Sequence, residues 1–140
     1  MTVIAMSLAS VLCCLSIVHL YWTVRGVGMG AAVPTHTNGT AVFRPGRVSA
    51  FVVAAALFLA AVIVLARARV ILVGFPDAAI RVGIWGVVTA FAARTVGEFR
   101  YVGLFKRVRG TPFAHWDSLL FTPLCTIMSI AAALVAIFAA

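Results

Sequence analysis

Acidic side chains are nearly missing from this chain. Only Asp77, Glu98 and Asp117 occur in 140 residues, and charged residues of both signs make up 10%. Soluble domains carry about 25% charged and about 45–50% apolar residues, whereas 64% of this chain is hydrophobic and its mean hydropathy is +1.17. Size alone excludes an aqueous core for so much apolar surface, since even ~150 residues hide only about 70% of theirs. Cysteine is equally sparse: Cys13, Cys14 and Cys125 are an odd number, all in apolar segments, with no C-x-x-C. A disulfide framework and a dithiol redox pair are therefore excluded, and small buried hydrophobes are the better reading. The first apolar run lacks a basic n-region and is too long for a signal peptide. No internal repeat marks a transporter built from two halves.

What remains is apolar and cationic. Ten Arg and one Lys give a net charge of +8. In a soluble protein that balance would point to nucleic acid. Here the charges flank long apolar runs, where topology and anionic headgroups account for them. The expected partner is the lipid bilayer, with no nucleic acid.

Four runs are long enough to span, approximately 3–22, 48–66, 80–101 and 117–139, so the fold class is all-α: a four-transmembrane-helix bundle in one domain, 1–140. Tyr21 and Trp22 close the first run as an aromatic belt would. Residues 23–48 are broken by Gly26, Gly28, Gly30, Pro34, Asn38-Gly39 and Pro45-Gly46, too densely for a long helix. Pro45-Gly46 suits a type II turn, and Asn38-Gly39-Thr40 matches a glycosylation pattern that is common by chance. The second run is rich in alanine, which lets a neighbouring helix approach closely. Gly74, Pro76 and Asp77 then signal a turn and a cap. The fourth run follows Thr111-Pro112, with Pro123 early in it, where a missing N–H does least harm.

The third run sets the problem. Twelve uncharged residues separate Arg81 from Arg94, about 18 Å of helix against the roughly 30 Å of a hydrocarbon core. A crossing helix is expected to continue to Glu98 or Tyr101, which carries Arg94 and Glu98 to membrane depth. Ionisable groups there usually face a bundle interior or a wet cavity and mark function. Gly83, Gly86, Ala90, Ala93 and Gly97 recur at alternating spacings of three and four and predict a close-packing face. Such small-residue stripes permit a homo-oligomer without requiring one. The segment after it, Phe99 to Gly110, interleaves Arg100, Lys106, Arg107 and Arg109 with aromatics, as a headgroup-level segment or a solvated basic loop would.

With four helices both termini share one side and the two long loops the other. The long loops hold Arg25, Arg44, Arg47, Arg100, Lys106, Arg107 and Arg109 against Arg67, Arg69 and Arg81. The positive-inside rule then predicts a multi-pass protein of the cell membrane, long loops cytoplasmic and both termini outside.

Polar residues gather at the loop leaflet: His19 near the end of helix one, Arg94 and Glu98 late in helix three, His115 and Asp117 at the start of helix four. Each has a structural reading. Asp117 before Ser118 suits a helix N-cap, Arg94 with Glu98 suits an ion pair, His19 suits a hydrogen-bonded core histidine, and His115 suits the interface. Together they suggest a site. His19, Glu98 and Asp117 are the candidate catalytic groups, offering proton transfer near neutral pH. Arg94 would grip a carboxylate or phosphate, with Trp22, Tyr101 and His115 completing the ligand-binding set. An apolar pocket with a polar mouth suits a lipid-like small molecule. His19 and His115 share a leaflet as haem ligands would, but two histidines are thin support; neither metal nor cofactor is expected.

Three stretches carry a family resemblance: His19-Leu20-Tyr21-Trp22 with Val33-Pro34, Arg94-Thr95-Val96-Gly97-Glu98-Phe99-Arg100-Tyr101-Val102-Gly103, and Phe113-Ala114-His115-Trp116-Asp117 through Ser118-Leu119-Leu120-Phe121-Thr122-Pro123-Leu124. Over nearly its whole length the chain resembles an uncharacterised family of small bacterial four-helix membrane proteins. The resemblance implies a multi-pass fold and no established activity; an Asp is usual in that family where this chain has Glu98. Quinone-linked thiol oxidoreductases need cysteine pairs, and small multidrug exporters a glutamate in the first helix; both are absent. Sterol-isomerase-like bundles offer only an analogy. The leading expectation is binding of a hydrophobic or amphiphilic small molecule in a pocket lined by His19, Arg94, Glu98 and Asp117. The alternatives are a membrane-embedded acid/base enzyme (isomerase- or cyclase-like) with Arg94 as electrostatic stabiliser, or a structural, accessory subunit.

Overall fold

The computed structural model describes residues 1–27 and 32–139. Gly28 and Gly30 of the first loop, and Ala140 after the last run, lie outside the described residues. Four helical segments are long and apolar enough to cross a membrane: α1 (Thr2–Arg25), α2 (Arg47–Arg67), α3 (Asp77–Val96) and α4 (Pro112–Phe138). The fold is all-α, the arrangement of a multi-pass membrane protein. Large apolar side chains such as Val3, Val48, Val82 and Ile127 face outward, which suits lipid rather than water around the bundle.

Helix ends follow backbone chemistry, and several differ from expectation. α1 runs past Trp22 to Arg25 and stops at Gly26, whose φ of 82° breaks the helix while its N–H still reaches Trp22 O at 2.8 Å. Gly46 has φ −77°, so Pro45-Gly46 is no type II turn; Gly46 is instead the extended N-cap residue of α2. α3 gains its span at the other end from the one expected. It begins at Asp77, directly after Pro76, and ends at Val96, five residues before Tyr101. Those 20 residues make about 30 Å of helix, so Arg81 is drawn inside the first turns and Glu98 is left beyond the helix.

α4 starts five residues before Asp117. Thr111 is its N-cap, its hydroxyl accepting from Ala114 N at 3.0 Å, with Pro112 at the first position, where proline fits best. Asp117 therefore caps nothing and lies inside the helix. Residues Asp117–Phe121 form a π-helical turn between α-helical Pro112–Trp116 and Thr122–Phe138. Pro123 sits just past that turn, well inside the segment, where an unbroken α-helix would set its ring against the carbonyl four residues back; the wider turn relieves that.

The helices pack as two close antiparallel pairs, α1 with α2 and α3 with α4, while α2 and α3 touch less extensively. Each pair is tied by a hydroxyl to a neighbouring backbone: Ser16 Oγ to Ala54 O at 2.8 Å, and Ser129 Oγ to Val88 O at 3.1 Å. Leu12, Val64, Ile84, Met128 and Val135 fill the centre, with alanines between them that allow close approach. At one end Arg67 Nη2 donates to Ala136 O at 2.9 Å. At the other, Tyr101 meets His36, which joins the two long loops. Cys14 is exposed on the outer face rather than buried, while Cys13 and Cys125 are half-buried.

The small-residue stripe of α3 only partly closes a helix contact. A Cβ on Gly83 would stand 3.0 Å from Ile63 Cδ1, but one on Gly86 would meet nothing within 4 Å. Ala93 is exposed and Gly97 lies outside the helix. The result is a groove between α2 and α3 of about 440 Å³, lined by apolar and small side chains with Arg94 the one charged member.

Candidate functional site

The charged centre at the loop end is built on Asp117, which is 0% exposed. Its Oδ1 accepts from Arg94 Nη2 at 2.7 Å. Its Oδ2 accepts from Lys106 Nζ at 2.9 Å, Gly103 N at 3.0 Å and Thr122 Oγ1 at 3.2 Å. A carboxylate offers about two lone-pair sites on each oxygen, so Oδ2 is fully engaged by its three donors and Oδ1 is held by Arg94. Two cations face one anion, and the group keeps a net positive charge.

Local geometry explains how residues so scattered in sequence converge. Gly97 ends α3 with φ 80° and the chain doubles back at once: Leu104 N donates to Thr95 O at 2.9 Å, and Val108 N to Arg100 O at 2.8 Å. Gly97 and Gly103 lie backbone to backbone. A Cβ on Gly103 would fall 2.6 Å from Gly97 Cα, and one on Gly97 would strike Val102 O. Only glycine fits either position, both for that approach and for positive φ. The turn between them is held by Glu98, whose carboxylate accepts from Tyr101 N, and it places the non-glycine Phe99 at φ 67°. This clasp sets Gly103 N and Lys106 Nζ against Asp117, while the π-helical turn brings Thr122 round to the same carboxylate.

The expected constellation is therefore rearranged. Arg94 pairs with Asp117, not with Glu98, because α3 has ended before Glu98 could lie one turn above it. Glu98 is exposed and serves its own turn. His19 bonds through Nδ1 to Leu15 O at 2.8 Å and stacks edge-on with Trp22, both on its own helix. Tyr101, 9% exposed, gives its ring edge and hydroxyl to His36, 3.0 Å from Nδ1. His115 is exposed beside Trp116 and lines an outward-facing concavity with Arg109. Of His19, Arg94, Glu98 and Asp117, Arg94 alone borders the α2–α3 groove. Among the described residues no three His, Cys, Asp or Glu side chains gather as metal ligands.

Three participants went unnoticed in the sequence. Lys106 is 5% exposed, not a headgroup-level or solvated cation; its one signal was being the only lysine among ten arginines. Gly103 and Thr122 carried no chemical signal of their own. His36 sits in a tight turn closed by His36 N to Thr40 O at 2.8 Å and Val42 N to Pro34 O at 2.9 Å. Asn38 is used inside that turn, its Oδ1 accepting from Thr40 N and Oγ1.

Arg94 has a second face. It is 32% exposed, and its Nη1 is buried without a hydrogen-bond partner while Nη2 holds Asp117. A guanidinium presents five donors in a fixed fork; here Nη2 is committed to Asp117 on α4 and Nη1 is left without a partner, in a residue that borders the apolar groove.

No curated protein and no solved structure matches the chain. A family model described as "Protein of unknown function (DUF3995)" matches residues 12–132, which include all four donors to Asp117 and the whole α2–α3 groove. The chain belongs to the DUF3995 family.

Proposed function

We propose that the protein binds a single-chain amphiphile with an acidic head, its chain in the α2–α3 groove and its head on Arg94. The observation that carries this is Arg94, the one charged residue lining an otherwise apolar groove, with its Nη1 lacking a hydrogen-bond partner. A buried donor without a partner is costly, and a carboxylate or phosphate oxygen would satisfy it with a charge-assisted bond. The groove's volume of about 440 Å³ falls in the usual range for small-molecule sites. Along α2 it extends from Val52 to Ile63, about 16 Å of rise, so an extended chain fits better than a fused-ring body.

Acid/base catalysis is the weaker reading of the same residues. Both oxygens of Asp117 are engaged, Oδ1 by Arg94 and Oδ2 by three donors, and His19 is turned to its own helix. Asp117 acts as the fastener that presents Arg94, and the amphiphile is held rather than transformed.

We propose that the loop end lies in the cytoplasm. With Lys106 engaged by Asp117, Arg25, Arg44, Arg47, Arg100, Arg107 and Arg109 still outnumber Arg67, Arg69 and Arg81 on the other side, which the positive-inside rule favours. A C-terminal reporter active only outside the membrane tests this.

The binding test uses protein in detergent micelles titrated with a fluorescent fatty acid and with the matching fatty alcohol. Wild type is expected to prefer the acid, and Arg94→Gln to lose that preference by about tenfold, as loss of a charge-assisted bond requires. Equal binding of acid and alcohol by wild type rejects the reading.

A further inference from the structure

At the opposite end of α2 and α3 three arginines line one cleft. Arg67 closes α2, Arg69 follows it at φ 55°, and Arg81 stands in the second turn of α3. With Ala66, Asp77 and Ile80 they line a cleft of about 280 Å³. One carboxylate faces three guanidinium groups. Arg69 reaches Asp77 at only 3.4 Å, and both side chains are well exposed, so this pair is loose and screened. Arg67 gives Nη2 to Ala136 O, and its Nε is buried without a hydrogen-bond partner. Arg81 is exposed, and no hydrogen bond or ion pair of its side chain occurs among the described residues. The cleft thus has an uncompensated positive charge, an arginine with an orphaned donor in its lining and the free fork of Arg81.

We infer that this cleft binds the phosphate of an anionic phospholipid in the leaflet opposite the long loops. Arginine forks match phosphate oxygens in pairs. Position selects the lipid over free phosphate: the cleft stands where α2 ends and α3 begins, at the face of a span. Its apolar wall also continues into the groove, since Ala66 follows Ile63 and Ile80 precedes Gly83 by one turn along their helices. A headgroup in the cleft would lay an acyl chain along that wall. The site does not rest on Arg94, which lies at the far end of α3.

Native mass spectrometry of the protein released from nanodiscs of equal phosphatidylglycerol and phosphatidylcholine tests the inference. Wild type is expected to retain one phosphatidylglycerol in preference to phosphatidylcholine. Arg69→Gln/Arg81→Gln changes only exposed side chains, so it is expected to fold and to lose that retention by about tenfold or more. Arg94→Gln protein that unfolds at the same denaturant midpoint as the double variant or above it is expected to retain the lipid unchanged, which separates this site from amphiphile binding at the other end. Retention undiminished in the double variant overturns the inference, as does retention without headgroup preference, loss in Arg94→Gln protein of that stability, or displacement of the lipid by millimolar inorganic phosphate.

Discussion

Lys106 Nζ lies 2.9 Å from Asp117 Oδ2, and both side chains are shut away from solvent. Arg94 holds the other oxygen at 2.7 Å. Removing one partner of a buried ion pair typically costs ~3–5 kcal/mol, because the remaining charge is stranded. Asp117→Asn strands two cations while keeping the side chain's shape. It is expected to destabilise the protein by that amount, measured by denaturant unfolding in micelles. Thr122→Val removes one neutral donor from the same oxygen and should cost about 1 kcal/mol. If Asp117→Asn unfolds within about 1 kcal/mol of wild type, the carboxylate is not the fastener of this end.

Glycine substitutions separate conformational cost from collision. Gly97, Gly103 and Gly110 all have positive φ, but a Cβ has open space only at Gly110. Gly110→Ala should therefore cost about 1 kcal/mol for the left-handed backbone alone. Gly97→Ala and Gly103→Ala meet backbone atoms that cannot move aside, and should cost several times more or open the clasp. Equal melting temperatures for the three variants would falsify the clasped geometry.

How much of this could be read beforehand depended on range. The number of helices and the multi-pass, all-α class followed from the apolar runs, because spanning a bilayer fixes length locally. That Arg94 and Asp117 lie at the same end of the bundle also followed, since connectivity alone brings the end of the third helix and the start of the fourth together. Their pairing did not. Counting the span from Arg81 carried the third helix on to Glu98 beside Arg94, whereas it begins earlier, at Asp77, and ends before Gly97. Asp117 looked like an N-cap because nothing in the sequence announces a π-helical turn, although Thr111-Pro112 five residues earlier is the better start signal. His36 and Tyr101 meet across 65 positions, a contact that no local pattern encodes.

That contact makes its own prediction. Tyr101→Phe keeps the ring against His36 but removes the hydroxyl 3.0 Å from Nδ1, a loss of about 1 kcal/mol. Because the bond joins two loops rather than two helices, the effect should be local. Hydrogen exchange is expected to speed up in the turn at 34–42, while the amides of α1 and α4 keep their rates. Uniform acceleration across the chain would mean the bond supports the whole bundle instead.

The groove is tested by two glycines one turn apart. Gly83 faces Ile63, whose Cδ1 would be 3.0 Å from an added Cβ, whereas Gly86 opens on empty space. Gly83→Leu must push α2 aside, an overpacking cost of about 1–3 kcal/mol. Gly86→Leu places its side chain in the groove and removes a helix-interior glycine, which by itself favours the helix by up to about 1 kcal/mol. Its stability should match or exceed that of wild type. Its amphiphile response should not: a fatty acid that raises the wild-type melting temperature is expected to leave that of Gly86→Leu unchanged, since stabilisation by a ligand requires that the folded state bind it. A Gly86→Leu protein that folds and still responds fully to the acid places the amphiphile somewhere other than between α2 and α3.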